Sequence, residues 1–429
     1  MSGKWMAAIL AMAVSNGALA DPVKILFVGN SYTHGRYTPA LNYNAGPGDN
    51  VGSALVHDLL CPSLPCTGAE GVAAVVPTTA NVPGNTLAAK LTYLEANTSH
   101  QYTEVGPFGG VAGVFLQFTK EAGLDYDVSL IAVSSATLKG YSNNTGSEAG
   151  DLPLIESAQF SQIIMQDQTF EPLPTSITVN DQSVPTRGNP TSFLSGVTAL
   201  INGIDAADLT AHAPYATITL AQTPPLGSYG YLSSNPAQPI FGTSTQAQQA
   251  GNKAYAPYLG AADPMGAMAG DLHNAYEHVA ATYLAGHPGK SVVNVALDGD
   301  AWVTAMNWGV AQRNPFLTPE PFGQVDLWDS DPLLACCTVP VGYHPSVYGD
   351  YLDALMLFGQ VTGINPLWLF DEYQESQPGR QTAADALGIN FLTATELAYI
   401  AQETLIAGKP VASPSANVCW AQFWAECRK

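Results

Sequence analysis

Val23–Val28 (VKILFV) is a short, almost wholly apolar run that stops abruptly at Gly29-Asn30-Ser31. A brief run of β-branched and aliphatic residues closed by turn formers reads as a strand buried on both faces, the condition of a parallel sheet. Four further segments repeat the pattern: Asp127–Ser134, Gln162–Gln168, Tyr215–Gln222 and Ser291–Leu297. Helical periodicity falls between them at Val111–Ala122, Pro190–Gly203 and Ala267–Ala285. Strands alternating with helices predict right-handed crossovers and an α/β fold: a flavodoxin-like three-layer α/β/α sandwich on a five-stranded parallel sheet. Two long stretches broken by Gly and Pro, Asp49–Gly110 and Pro224–Pro264, read as loop insertions near the C-terminal edge of that sheet. Tyr229, Tyr231 and Phe241 in the second either line a substrate groove or pack the loop onto the body.

The first twenty residues have the form of a secretory signal peptide. Lys4 supplies the positive start, Met6–Val14 the apolar stretch and Ala18-Leu19-Ala20 a small-residue cleavage site before Asp21. That stretch is too short to span a bilayer and no later segment is long and apolar enough. The expectation is a secreted or periplasmic protein beginning near Asp21, without stable membrane insertion. Fourteen basic against 35 acidic residues give a formal net charge of −21, which argues against nucleic acid and anionic membranes as partners and favours a neutral substrate. Only 11% of residues are charged while 46% are hydrophobic, enough to fill a large core, so the long loops are expected to be ordered. Six cysteines in an exported chain point to disulfides. Cys61 and Cys66 are placed for a local bridge, and Cys419 and Cys427 for a C-terminal one. Cys336 and Cys337 then pair with each other, or each takes a C-terminal partner; fifteen pairings are open. No Cys/His spacing fits a zinc site, and Asp298-Gly299-Asp300 reads as turn and cap residues rather than a cation site.

Open α/β sheets bind ligands at the C-terminal ends of their strands, where Ser31 stands. As an isolated residue Ser31 serves equally well as the cap of a following helix. A serine hydroxyl becomes a useful nucleophile when a histidine takes its proton and an acid holds that histidine's tautomer. His344, in Gly342-Tyr343-His344-Pro345-Ser346, lies just before the helical segment Val347–Val361, on a late loop able to fold back over the first strand.

These two ends together resemble the SGNH (GDSL-like) hydrolase superfamily. Gly29-Asn30-Ser31-Tyr32-Thr33 is similar to the Gly-Asn-Ser-Phe/Tyr-Thr nucleophile block of one branch. His344-Pro345-Ser346 with Gly349-Asp350-Tyr351-Leu352 is similar to the last block. The resemblance implies a serine esterase without cofactor or metal, its acid three residues before the histidine. Val341 occupies that position. An insertion, Pro332–Tyr343, brings Asp331 into line as the acid, with Asp329 and Asp326 as rivals and a Ser–His dyad as a further option. A disulfide through Cys336 or Cys337 would pin that insertion. The second block implies an oxyanion donor from the backbone of Ser135 or Ala136, where the family has glycine. The third implies the Gln168 amide in place of asparagine, with Gln166 beside it. The expected reaction is deacylation of an ester, first of all an acylated polysaccharide. Lipid or polyester hydrolysis, acyl transfer, and non-catalytic carbohydrate binding are the alternatives.

Overall fold

The computed structural model describes residues 21–36, 39–48, 54–61, 106–144, 150–231, 256–315, 323–328, 342–370 and 382–413. The expected signal peptide lies outside them. Strand β1 (Val23–Gly29) is followed by two three-residue strands, β2 (Ala45–Pro47) and β3 (Val56–Asp58). Helix α1 (Gly110–Glu121) leads to β4 (Tyr126–Ala132), and the short helices α2 (Leu138–Asn143) and α3 (Leu152–Ile155) lead to β5 (Gln162–Met165). A hairpin of β6 (Ser176–Val179) and β7 (Gln182–Pro185) precedes α4 (Pro190–Ala211) and β8 (Thr217–Ala221). Helices α5 (Gly227–Gly230) and α6 (Pro264–Gly286) separate β8 from β9 (Val292–Ala296), which runs into α7 (Asp298–Asn307). Helix α8 (Val347–Thr362), a 3-10 turn (Pro366–Phe370), α9 (Ala383–Leu387) and α10 (Phe391–Ala407) follow.

The main sheet is parallel throughout, in the order β2-β3-β4-β1-β5-β8-β9. It has seven strands, which corrects the five-stranded flavodoxin-like sheet expected from the sequence. All five expected strands are present, and β2 and β3 extend the edge beyond β4. Ala-Gly-Pro and Val-His-Asp are too short to carry a run or an alternation, so nothing in their pattern announces a strand. The β6–β7 hairpin is likewise not among the expected elements, although its turn is a legible signal. Asn180 and Asp181 both sit at positive φ (49° and 59°), as a two-residue type I′ turn requires.

Side chains of the central strand alternate between two cores. Ile25 and Phe27 pack with α1, α7, α8 and α10 on one face; Leu26 and Val28 pack with α2, α4 and α6 on the other. All four are fully buried, which is why β1 reads as a continuous apolar run. Helix α4 runs two turns beyond the expected Gly203, because that glycine lies inside the helix against the Glu156 side chain and does not terminate it.

The expected disulfide framework is not borne out among the described residues: Cys61 is the only cysteine there, so no two cysteines stand at disulfide distance, and the disulfide that Cys61 makes has its partner outside them. Cys66, Cys336, Cys337, Cys419 and Cys427 lie outside the described residues.

Asp298 and Asp300 open α7 as expected of first-turn acids, but both are buried rather than solvated. Asp300 Oδ2 pairs with His273 Nδ1 at 2.7 Å. Asp298 and Asp353 line a cavity of about 20 Å³ beneath Thr33 and Gln166, room for a water. Burial, with only a Trp302 Nε1–H bond opposing it, pushes Asp353 up to about 8. Burial and the neighbouring Asp353 hold Asp298 and Asp350 well above the ordinary carboxyl range. Native carboxyls of this kind keep protons that the unfolded chain releases above about pH 4. The stability these carboxyls contribute is therefore fully present at the acid end and is lost as pH rises from about 4 toward about 8. Thermal melting is expected to show a falling Tm between pH 5.5 and 8.5, and D353N, which still accepts from Trp302, is expected to flatten that slope. A Tm that rises over this range would contradict the assignment.

Candidate active site

Strand β1 pairs with β4 on one side and β5 on the other, so successive crossovers diverge at its C-terminal end. A crevice is built there from the segments that follow the three strands. The chain turns sharply after β1: Thr33 and His34 N–H both donate to Asn30 O, at 2.9 and 3.0 Å. Gly29 is required for that turn, since a Cβ there would stand 1.9 Å from Thr33 Oγ1. The segment after Ser31 is a turn and not a helix, so Ser31 caps nothing.

His344 reaches Ser31 from the other end of the chain. Its loop is fixed by pairing with residues 326–328. Trp328 bridges Pro345, Ser346 N–H donates to Leu327 O at 2.8 Å, and Ser346 Oγ–H donates to Asp326 O at 2.6 Å. The same Ser346 Oγ caps α8 by accepting the N–H groups of Tyr348 and Gly349. Trp328 anchors the pairing from below, donating Nε1–H to Pro225 O at 3.0 Å and meeting Trp302 edge-on. Two aromatic rings flank the imidazole: Tyr32 at 5.3 Å and Tyr343 edge-on at 4.8 Å. Tyr32 Oη donates to Tyr343 O, tying the two segments together. The result is a Ser31 Oγ to His344 Nε2 distance of 2.9 Å between residues 313 apart in sequence, both nearly buried. That is the contact a base needs to take the hydroxyl proton.

Asp331 and Asp329 lie outside the described residues. Asp326 is described and buried; its Oδ1 accepts the Trp328 N–H at 3.0 Å, within the turn that presents the histidine loop.

The segments after β4 and β5 are stitched to the β1 turn by buried side chains. Tyr141 Oη donates to Gly29 O at 2.7 Å and accepts the Val133 N–H at 3.0 Å. Asn30 Nδ2 donates to Ala136 O, and Thr33 Oγ1 donates to Gln166 Oε1. Asp167 Oδ1 accepts two N–H groups, from Leu138 at 2.9 Å and Gln168 at 2.7 Å. Burial, then the nearby Glu171 charge, pushes Asp167 up to about 8 against those two bonds. Sequence reasoning passed over Asn30, Tyr141 and Asp167; only Asn30 and Asp167 adjoin a candidate residue in sequence.

This arrangement separates the expected oxyanion residues. The Ala136 N–H is engaged with Val133 O, and both ends of the Gln166 amide are engaged, with Thr33 and with Asp167 O. Ser135 adopts φ +66°, the left-handed conformation a glycine would hold, and is exposed. No acceptor among the described residues takes the N–H of Ser31 or Ser135, or the side-chain amide of Gln168. Tyr229 is fully buried and stacks on Phe170, so it packs its loop rather than lining a groove; Tyr231 is half-buried and Phe241 lies outside the described residues. Among the described residues no group of three or more His, Cys, Asp or Glu is arranged to hold a metal, and no helix is long and apolar enough to cross a membrane.

No protein-family model matches the sequence, and no curated protein matches it. Among solved structures, the chain is similar to a DUF4886 family protein from Bacteroides uniformis, at 12% identity and a TM-score of 0.43, over 91% of this chain and 98% of that one. It is also similar to a protein from Slackia heliotrinireducens described as a candidate SGNH hydrolase, at 14% identity and a TM-score of 0.34, over 80% of this chain and 100% of that one.

With Asp167 pushed up to about 8, D167N, which preserves both its shape and its acceptor, is expected to leave the melting temperature nearly unchanged at pH 7. D167A strands two buried N–H groups and is expected to cost about 1–3 kcal/mol for each. Equal losses in the two variants would show that Asp167 is ionised.

Proposed function

We propose that this chain is an exported serine ester hydrolase with Ser31 as nucleophile and His344 as general base. The observation that carries the reading is the 2.9 Å Ser31 Oγ to His344 Nε2 contact at the crevice between diverging crossovers. Ser31 Oγ attacks the ester carbonyl carbon while its proton passes to His344 Nε2. The N–H groups of Ser31 and Ser135 and the Gln168 amide receive the developing oxyanion. Collapse of the tetrahedral intermediate expels the alcohol, which takes the proton from His344. Water then attacks the acyl-enzyme, gives a proton to His344, and releases the acid as Ser31 is reprotonated. Asp331 orients the imidazole in this scheme. The substrate class we favour is an acylated polysaccharide, because a strongly acidic protein repels anionic lipid and nucleic acid while a neutral acylated sugar meets no such barrier.

The test is release of p-nitrophenol from acetyl and longer-chain esters. Wild type is expected to favour the acetyl ester. S31A and H344A are each expected to lower kcat by at least about 10³-fold with the fold retained by circular dichroism. Activity that survives S31A would remove the nucleophile, and no activity at any chain length would remove the esterase reading.

A further inference from the structure

The turn that carries Ser31 also reaches the β4–α2 segment on both sides of Ser135. On one side Asn30 Nδ2 donates to Ala136 O at 3.1 Å; on the other, His34 Nε2 lies 3.1 Å from Ser134 Oγ. Ser135 stands between them at φ +66°. A non-glycine residue keeps that conformation only where its surroundings impose it. His34 is itself tightly fixed. It is fully buried, its ring stacks on Phe108 with centroids 4.5 Å apart, and the Phe108 N–H donates to Asp58 Oδ2 at 2.8 Å. Gly110, at φ +52°, passes so close that a Cβ there would stand 2.1 Å from the His34 carbonyl carbon. A second buried histidine is thus aimed at a hydroxyl one residue before the left-handed donor, on the same short turn as the nucleophile.

We propose that His34 is a positioning residue which, through Ser134 Oγ and together with Asn30, holds the Ser135 N–H toward the oxyanion formed at Ser31. The proposal rests on the reading of Ser31 as nucleophile. It also accounts for how serine stands where glycine would be expected: the two side chains supply from outside the constraint that glycine meets through its own backbone freedom. One oxyanion donor is worth about 10²–10³-fold in kcat. A donor displaced rather than deleted retains part of that, so losses of about 10–10²-fold are expected.

The experiment compares S134A, H34A, H34N and the S134A/H34A double variant on p-nitrophenyl acetate, with thermal melting of each. S134A removes one half-buried hydroxyl and keeps the protein testable if H34A fails to fold. The proposal expects kcat to fall in S134A and H34A with KM within about threefold, the double variant no worse than the worse single one, and partial recovery in H34N. Wild-type kcat in a folded S134A would overturn it, as would losses that simply multiply in the double variant. Activity that survives S31A but is lost in S134A would also overturn it, by making Ser134 the nucleophile. If the wild type proves inactive, the esterase reading fails separately, and crystal structures decide the holding role. A Ser135 unmoved from its left-handed conformation in S134A or H34A then overturns it; a flipped or displaced Ser135 sustains it.

Discussion

Burial of β1 on both faces is the constraint on which the rest of this structure depends. Ile25 and Phe27 enter one helical layer and Leu26 and Val28 the other, all without solvent contact. A strand so enclosed needs neighbours on both edges: β4 pairs from Val23 opposite Tyr126 to Gly29 opposite Ala132, and β5 from Ile25 opposite Gln162 to Val28 opposite Met165. Helices on both faces follow from the same requirement. The crevice follows too, because strands added on opposite sides of β1 send their connections in opposite directions.

The site is then a problem in keeping three strand ends in register where backbone pairing stops. The solution is a set of buried polar side chains, each with a partner: Tyr141 between Gly29 and Val133, Asn30 on Ala136, Thr33 on Gln166, and Asp167 on Leu138 and Gln168. In a low-dielectric interior such bonds are strong when satisfied and costly when broken, so they fix geometry more firmly than apolar contacts of similar size. A preorganised oxyanion site needs this, since donors that must reorient give back much of what they supply.

The same burial changes the meaning of the charge count. The formal value of −21 treats every carboxyl as ionised. Asp167 and Asp353 are pushed up to about 8, and Asp298 and Asp350 stand well above the ordinary range. The native protein at neutral pH is thus less acidic than its composition states. Asp167 and Asp353 serve as hydrogen-bond acceptors there, for Leu138, Gln168 and Trp302.

The sequence by itself determined five strands, the helices between them, the apolar core and the two residues, Ser31 and His344, that meet at 2.9 Å. These were legible because run length, β-branching and helical periodicity are local properties that packing here did not override. It did not determine the full width of the sheet, since three-residue strands such as β2 and β3 carry no period of their own. Nor did it separate the oxyanion candidates. Ser135 and Ala136 look alike as neighbours in a chain, yet one N–H is engaged with Val133 O and the other is not. The contacts of His34 with Ser134 and of Tyr141 with Gly29 exist only when β1 and β4 lie side by side, Tyr141 bonding across 112 residues. Hydrogen-bond partners at that separation are set by the fold and not by local spacing, and for that reason tertiary structure alone decided them.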